Sequence, residues 1–386
     1  MNNIAIVIPC YNRLDTLKVL LDSLLNARYD RSVELVFSID YSGNEDIYNL
    51  VDEFTWPYGK KNIIRHKENI GLRRNIISCG DLTSEYDAVI VLEDDLIVSP
   101  LFFDYACNAW NYYKEDNSVA GISLYSYRVS ETKHEFFPIT DGYDTYFVQW
   151  TSSWGQLWTK KQWTDFKEWY EGFNDDFSKC PIPFNVKKWN PKNSWKKYHI
   201  AYLCENDKFF VYPKESYTTI TPTLGFHKKK ISLSSPFFVP LCTGKRRDFL
   251  FQKSKGAIKY DSFFELKECE IILSEEKVKV DFDLYCDKER NCIANKYFIT
   301  SKKINGIKEL KSWGGLSIPY EQNVLNGVKG NRLFLYHVDD FYKQELNTKE
   351  RQSMYIIATG RDYFNLIVES VKTKYIIKLK RILRFK

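Results

Sequence analysis

Residues 89–98, Val-Ile-Val-Leu-Glu-Asp-Asp-Leu-Ile-Val, decide the fold and point to the chemistry of the chain. An apolar run rich in Val and Ile is typical of a strand that is buried on both faces of a parallel sheet. Glu93, Asp94 and Asp95 would repel one another at the end of such a strand unless a cation neutralised them, and carboxylate oxygens suit Mg²⁺ or Mn²⁺. The run therefore predicts a divalent metal site for a substrate diphosphate. The alternative is a surface turn whose acids are solvated.

The segment before this run alternates between strand and helix patterns. The spacing predicts strands at 4–9, 33–39 and 62–65 and helices at 15–25, 46–54 and 71–79. Such alternation indicates an α/β fold with a mostly parallel sheet, helices on both faces and right-handed crossovers. Ligands of open α/β sheets bind beyond the carboxyl ends of the strands, where residues 9–12, Asp40 and the three acids would meet. We therefore expect a functional site at that edge.

The composition indicates a globular protein with a substantial core. The chain has 386 residues, of which 44% are hydrophobic, which is enough for one large domain and a smaller one. The aromatic content of 16% is high and favours carbohydrate sites, although ordinary cores use the same residues. The net charge of +6 is spread thinly over most of the chain, so nucleic acid is not an expected partner.

The cysteines and the N-terminus indicate the cellular compartment. Nine cysteines are scattered without CxxC spacing, which suggests neither a zinc site nor a disulfide framework. The chain opens Met-Asn-Asn and enters a predicted strand at Ile4, so no signal peptide is expected. No apolar stretch reaches the roughly 18 to 20 residues needed to span a bilayer. We expect a cytoplasmic protein with reduced thiols, free or attached peripherally to the inner face of the cell membrane.

Five pieces of the chain, in the same order, resemble known glycosyltransferases. They are residues 6–15, 67–75, 92–103, 150–163 and 194–226. The first two resemble family-2 glycosyltransferases of the GT-A fold. The third resembles the metal motif of the N-acetylglucosaminyltransferase I family and its bacterial relatives, and the last two resemble segments of bacterial sugar transferases. The resemblance covers roughly residues 1–230 and implies a GT-A (Rossmann-like) domain, which we place at residues 1–245.

The resemblance implies a nucleotide-sugar site around the first strands. Asp40 would meet uracil or another base, in a pocket that Pro9 and Tyr11 shape. Arg73, with Arg74 as the second choice, would lie near the diphosphate. Two alternatives stay open, because Asp40 could simply cap a turn and either arginine could be a solvated helix residue.

The resemblance also implies roles for the acids at 93–95. Asp95 would touch Mn²⁺ or Mg²⁺ most directly, and Asp94 would face the sugar or the water shell of the metal. Glu93 would contact the ribose or the sugar. His227 would help to hold the ion or the diphosphate. The cation would stabilise the diphosphate that departs when the glycosyl–phosphate bond breaks.

The acceptor hydroxyl needs a general base within hydrogen-bond reach, and here the chain departs from its relatives. The N-acetylglucosaminyltransferase I family carries Trp-Asp-Asp where this chain has Trp-Lys-Lys at 195–197. A protonated ammonium is a poor base unless it is strongly buried. Asp175 and Asp176 are the favoured replacements, ahead of Asp165 and Glu205, although the pair could also belong to a solvated loop.

Four tryptophans between residues 150 and 163 could form a platform between the two substrates. Flat aromatic faces pack well on the C–H faces of sugar rings. Trp154, beside Gly155, is the favoured sugar contact. Trp158 and Trp163 also fit a buried helix stripe and are expected in the core.

Beyond residue 245 the recognisable pattern stops. Residues 259–345 contain alternating segments that predict a small β-rich accessory domain. The tail at 361–386 combines basic and apolar residues at helical spacing, which predicts a basic amphipathic helix able to lie on an anionic membrane surface. A solvated or oligomer-packed tail is the alternative.

Together these patterns predict a metal-dependent glycosyltransferase that moves a hexose or N-acetylhexosamine from a nucleotide-diphospho-sugar, by expectation a UDP-sugar. The acceptor would be a saccharide or lipid-linked saccharide in the synthesis of a bacterial surface polysaccharide, and the resemblance implies inversion. Two alternatives stay open. A nucleotidyltransferase would need a Gly-rich loop after the first strand, which residues 10–15 lack, and an inactive saccharide-binding or scaffold relative would fit the lysines at 196–197.

Overall fold

The computed structural model describes residues 3–131, 134–222, 235–244, 248–304 and 306–343. The chain divides into two compact units, Met1–Lys267 and Glu268–Lys386. His227 and the tail at 361–386 lie outside the described residues, so their roles remain predictions. Within the described ranges, every helix is too short or too polar to span a bilayer.

The first unit is an α/β domain built on one large mixed sheet. Its strands are β1 (Ile4–Cys10), β2 (Glu34–Ile39), β3 (Lys61–Arg65), β4 (Ala88–Val91), β5 (Leu96–Val98), β6 (Val119–Ser123), β7 (Thr145–Val148), β8 (Gln156–Thr159), β9 (Phe209–Pro213), β10 (Thr218–Ile220) and β11 (Lys259–Tyr260). Its helices are α1 (Leu14–Leu25), α2 (Glu45–Glu53), α3 (Gly71–Asp81), α4 (Phe102–Tyr113), α5 (Lys160–Gly172), α6 (Phe184–Lys187) and α7 (Trp195–Glu205).

Within the described residues, nine of these strands form the sheet in the order β11-β7-β9-β6-β8-β4-β1-β2-β3. The pairs β1–β2, β1–β4, β2–β3, β6–β9 and β7–β11 are parallel. The remaining pairs, β4–β8, β6–β8 and β7–β9, are antiparallel. The predicted mixed, mostly parallel sheet is therefore confirmed.

The residues of β1 alternate between the two faces of the sheet and are buried on both. Ile4, Ile6 and Ile8 belong to a core that includes the apolar faces of α1 and α4. Ala5 and Val7 belong to a second core that includes residues of α3, α5 and α7. The continuous apolar run of this strand is thus explained by helices on both faces, as the sequence predicted.

The run at 89–98 contains two strands rather than one. β4 ends at Val91, and β5 leaves the large sheet to pair antiparallel with β10. Side chains alternate between faces along a strand, so three consecutive carboxylates in the sheet would place charge in an apolar core. The chain turns instead, and Glu93, Asp94 and Asp95, hereafter the acidic turn, follow the carboxyl end of β4 beside β1.

The second unit has its own sheet, which confirms the predicted β-rich C-terminal part. Its strands are β12 (Cys269–Leu273), β13 (Glu276–Phe282), β14 (Tyr297–Thr300), β15 (Lys311–Trp313) and β16 (Leu333–His337), and its helices are α8 (Glu321–Leu325) and α9 (Val338–Lys343). Within the described residues the strand order is β12-β13-β14-β16-β15. The first unit ends at Lys267 rather than near the expected boundaries at 245 and 259, because β11 pairs with β7 in the large sheet.

Candidate functional site

The acidic turn is held by Arg13, a residue to which the sequence analysis gave no role although it lies in the Tyr-Asn-Arg run after β1. Arg13 places Nη1 3.2 Å from Asp94 Oδ1 and 2.7 Å from Asp95 Oδ2. The N–H of Tyr11 donates to Asp94 Oδ2 at 3.4 Å. Asp95 Oδ1 is buried and has no hydrogen-bond partner among the described residues. One guanidinium thus joins two carboxylates and leaves a buried oxygen without a donor.

Two carboxyl groups of the acidic turn have raised pKa values, chiefly because they are buried. Burial and the charge of Asp95 raise the pKa of Glu93 to about 8, although Arg13 opposes the rise. Burial also raises the pKa of Asp94 to about 7, against the lowering effect of Arg13. Burial lowers the pKa of Arg13 itself, but the charges of Asp94 and Asp95 outweigh it and leave that pKa raised. An added cation would therefore be favoured at the turn.

Asp40, at the end of β2, connects the sheet to the start of α3. It is only 3% exposed, and its carboxylate accepts the N–H groups of Tyr41, Ile70 and Gly71 at 2.9, 2.8 and 2.9 Å. A carboxylate at this point satisfies N–H groups that the first turn of a helix leaves unpaired. These bonds agree with the alternative that Asp40 caps a turn, and contact with a nucleotide base stays a prediction.

Tyr11 links Asp40 to the acidic turn. Asn69 donates from Nδ2 to the Tyr11 hydroxyl at 3.1 Å, directly before the N–H groups that bind Asp40. Tyr11 is 38% exposed, so its ring is accessible to a ligand, whereas Pro9 is buried in β1. The structure therefore brings Tyr11, Asp40 and the acidic turn into one network at the edge where the sequence predicted a site.

Arg73, in α3, contacts α7 and the segment before it. Its Nη1 donates to the Pro191 carbonyl at 2.9 Å and to the Tyr198 hydroxyl at 2.7 Å. The guanidinium carbon lies 5.2 Å from the centre of the Tyr198 ring. Arg74 is exposed. A contact between either arginine and a diphosphate stays a prediction, and Arg73 would have to exchange these bonds to make it.

The favoured bases, Asp175 and Asp176, lie in an exposed loop after α5. Hydrogen bonds from the side chain and the backbone of Ser178 lower the pKa of Asp176. Asp175 has a φ of 62°, in the left-handed region. Burial raises the pKa of Tyr198 to about 12, and a hydrogen bond to Asp175 is the second cause of that rise. This exposure agrees with the alternative of a solvated loop, and a catalytic role for the pair stays a prediction.

Trp154 is half-buried, while Trp158 and Trp163 lie in the core, as predicted. Gly155 has a φ of +94°, and a Cβ at this position would come within 2.8 Å of Thr218 Cγ2. Glycine is therefore required after Trp154, which explains the Trp-Gly pair in physical terms. The open part of the Trp154 ring remains the candidate sugar contact.

An ion pair between Glu131 and Lys196 was not predicted. Lys196 Nζ contacts Glu131 Oε1 and lies 5.3 and 5.6 Å from the ring centres of Trp150 and Trp154. Burial raises the pKa of Glu93, and the charge of Lys196 is among the effects that oppose the rise. The two partners are 65 positions apart, so no local motif could reveal them.

The acidic turn does not by itself form a complete metal cage. Among the described residues, no group of three His, Cys, Asp or Glu side chains could hold a metal ion. The N–H of Thr221 donates to the Asp95 carbonyl at 2.8 Å, so the chain runs beside the turn shortly before His227, which lies outside the described residues. Mg²⁺ in proteins is often held by one or two carboxylates together with substrate phosphates, and the turn suits that arrangement.

Comparison with known proteins gives one family and several similar folds. Residues 5–162 match the model of the family described as Glycosyl transferase family 2. TarS 1-349 from S. aureus in complex with UDP-GlcNAc is 13% identical, with a TM-score of 0.40, over 60% of this chain and 62% of that one. GalNAc-T7 with UDP, GalNAc and Mn²⁺ is 12% identical, with a TM-score of 0.42, over 61% of this chain and 46% of that one. The chain thus covers less than two thirds of either structure, and no curated protein matches it.

Proposed function

We propose that the first unit, in which residues 5–162 match the family-2 model, is a GT-A glycosyltransferase domain and that the protein is a metal-dependent enzyme. In this proposal it transfers a hexose or N-acetylhexosamine from a UDP-sugar. The acceptor is a saccharide or lipid-linked saccharide of a bacterial surface polysaccharide, and transfer inverts the anomeric carbon. The observation that carries the proposal is the network of Tyr11, Asp40 and the acidic turn at the carboxyl edge of parallel strands. Open α/β sheets bind their ligands at such edges.

In this proposal the donor lies along that edge. Asp40 and Tyr11 contact the base, with Pro9 in the strand behind them. Glu93 contacts the ribose or the sugar, and Asp94 faces the sugar or the water shell of the metal. Arg73 approaches the diphosphate once its guanidinium leaves the Tyr198 hydroxyl. These contacts would orient the anomeric carbon, which is the main way in which binding lowers the barrier of a transfer reaction.

Asp95 is the residue that would hold Mn²⁺ or Mg²⁺, with His227 as a further candidate ligand. The carboxylate supplies the hard oxygens that these ions prefer, and the buried Oδ1 has no donor among the described residues. The raised pKa values of Glu93 and Asp94, which burial chiefly causes, support this assignment, because a bound cation would favour the ionised carboxylates. When bound, the ion would neutralise charge on the departing diphosphate.

The basic tail at 361–386, outside the described residues, would attach the enzyme to an anionic membrane that carries the acceptor. Basic residues near such a surface contribute about 1 kcal/mol each. We expect the whole chain to co-sediment with anionic vesicles at low salt, and a chain ending at residue 360 to stay in the supernatant. Equal sedimentation of both proteins would contradict membrane attachment by the tail and would leave the enzymatic proposal unchanged.

The enzymatic proposal is tested by UDP release from a panel of UDP-sugars with Mn²⁺, for the wild type and Asp95→Ala. A true donor should raise the Tm of the wild type by mass action, and Asp95→Ala should lower turnover at least about 100-fold. Binding without turnover in the wild type would favour the inactive saccharide-binding relative. Formation of UTP from a UDP-sugar and pyrophosphate would favour a nucleotidyltransferase.

A further inference from the structure

We propose that Glu131 is the general base that deprotonates the acceptor hydroxyl, an inference that rests on the glycosyltransferase function proposed above. Glu131 lies between β6 and β7, and its Oε1 accepts the Tyr127 hydroxyl at 2.5 Å, Trp150 Nε1 at 3.2 Å and Lys196 Nζ. Within the described residues no donor contacts Oε2. Three donors on one oxygen fix the orientation of the carboxylate and leave the other oxygen to take a proton.

The ion pair lies beside the candidate sugar contact, Trp154. The ammonium of Lys196, at the start of α7, lies 5.3 and 5.6 Å from the ring centres of Trp150 and Trp154. Trp154 is half-buried and keeps part of its ring open. Gln156 pairs with Val91, two residues before the acidic turn, so a saccharide stacked on the Trp154 ring would lie beside Glu131 and close to the turn.

The burial of the pair points to function rather than to stability. The side chains of Lys196 and Glu131 are 8% and 17% exposed. Buried ion pairs contribute little net stability, because the cost of removing two charges from water offsets their attraction. Burial and the charge of Glu131 raise the pKa of Tyr127 well above its usual value, so its hydroxyl stays a donor to the carboxylate. The residual exposure gives Glu131 access to a substrate, which a structural pair would not need.

The transfer step balances with this assignment. The acceptor hydroxyl gives its proton to Glu131 Oε2 while its oxygen bonds to the anomeric carbon. The bond between that carbon and the phosphate oxygen breaks, and its electron pair leaves with UDP. When water replaces the acceptor the same proton transfer is required, so UDP release without an acceptor reports on Glu131.

The decisive variants are Glu131→Gln and the double variant Glu131→Gln/Lys196→Met. Glutamine keeps the size of the side chain and an acceptor oxygen for Tyr127 but cannot take the proton. We expect Glu131→Gln to lower the rate of UDP release at least about 100-fold, in the range typical of a lost general base. The Tm shift caused by the UDP-sugar with Mn²⁺ should stay at the wild-type value, because donor contacts are unchanged.

The double variant separates catalysis from charge balance. It removes the lysine that Glu131→Gln leaves buried without a partner, so the fold regains a neutral pair. If Glu131 is the base, the double variant stays at least about 100-fold slower than the wild type. Recovery of the rate to within tenfold of the wild type would mean that Glu131 only neutralises Lys196, and it would overturn the inference.

Three further variants complete the test. Glu135→Gln is the matched control, because Glu135 is exposed in the same segment and should leave the rate unchanged. Asp175→Asn and Asp176→Asn test the loop pair, and a 100-fold loss in either of them with a normal rate in Glu131→Gln would also overturn the inference. If the wild type neither binds nor hydrolyses any UDP-sugar, the proposed function itself fails. If the wild type is active and Glu131→Gln is equally active, the assignment of Glu131 as the base fails while the proposed function stands.

Discussion

Each unit of the protein holds a carboxylate cluster just after a strand, and Asp95 of the first cluster is more exposed than Asp283 of the second. In the first unit the acidic turn follows β4, and the side chains of Arg13 and Asp95 are 27% and 28% exposed. In the second unit Asp283 follows β13 and is 0% exposed. Burial raises a carboxyl pKa to about 7 in both places, at Asp94 and at Asp283. A raised pKa therefore does not identify a binding site by itself.

The hydrogen bonds of the two clusters explain the difference. Asp283 Oδ1 accepts the N–H groups of Asp287 and Lys288 at 3.0 and 3.4 Å, so its carboxylate closes a local turn. The acidic turn is bound mainly by the side chain of Arg13, which can move, and it lies at the carboxyl edge of parallel strands. The carboxylate of Asp283 therefore closes a local turn, whereas the acidic turn lies at an edge where open α/β sheets bind ligands.

Replacing one aspartate of each cluster by asparagine should affect the rate of UDP release very differently. The loss of activity expected for the acidic turn is the largest effect that we predict. Asp95→Asn removes a charged metal ligand and should lower UDP release at least about 100-fold, with the unfolding temperature changed little. Asp283→Asn should leave UDP release within about twofold of the wild type, because the proposed donor contacts all belong to the first unit. The measurement is kcat/KM for one UDP-sugar with Mn²⁺. A loss of activity in Asp283→Asn with normal folding would contradict the comparison.

Arg13 should compete with the metal for the acidic turn, and its removal should have a smaller effect. A charge pair near a protein surface is worth about 1 to 4 kcal/mol, so Arg13→Met should lower the Mn²⁺ concentration for half-maximal UDP release by roughly tenfold. Arg13→Lys keeps the charge and should stay near the wild-type value. The measurement is the rate as a function of Mn²⁺ at saturating UDP-sugar. Identical half-saturation in all three proteins would mean that the ion binds away from Asp94 and Asp95.

The fold of the first unit was predictable because its decisive patterns are local. The apolar residues of β1 form a continuous run because helices cover both faces of the sheet. A run of this kind predicts a strand of a parallel sheet. The position of the acids at a strand end was also predictable, since three adjacent carboxylates cannot enter an apolar core. The split of residues 89–98 into β4 and β5 was not, because the partner strand β10 is distant in the chain.

The candidate site was only partly predictable, because its contacts join distant segments. Asp40 was singled out at the end of β2, but its three N–H partners come partly from the start of α3, which no pattern around Asp40 reveals. The contact between Glu131 and Lys196 depends on how α7 packs beside the segment after β6. From the sequence, the lysines at 196–197 indicated that this position lacks a carboxylate. In the fold, the carboxylate of Glu131 lies beside Lys196.

The smallest expected effect is a change of stability with pH in the second unit. Burial and the charge of Asp287 raise the pKa of Asp283 to about 7 from the usual 3.8, while the charge of Lys288 opposes the rise. The folded state therefore holds a proton that the unfolded chain releases. The stability from this proton is fully present below pH 3.8 and is lost as the pH rises through about 7. The loss is at most about 1.4 kcal/mol per pH unit in that window.

Asp283→Asn should remove this dependence, because an amide accepts the same N–H groups but does not titrate. Calorimetry at pH 4.5, 6 and 8 should show the unfolding temperature of the wild type falling relative to the variant by up to about ten degrees in total. Roughly 3 kcal/mol would be lost between pH 4.5 and about 7, and each kcal/mol shifts Tm by a few degrees in a domain of this size. Asp340→Asn, an exposed acid in the first turn of α9, is the matched control and should follow the wild type. A constant difference between wild type and Asp283→Asn at all three pH values would show that Asp283 is ionised in the folded protein, and the two clusters would then differ in charge as well as in access.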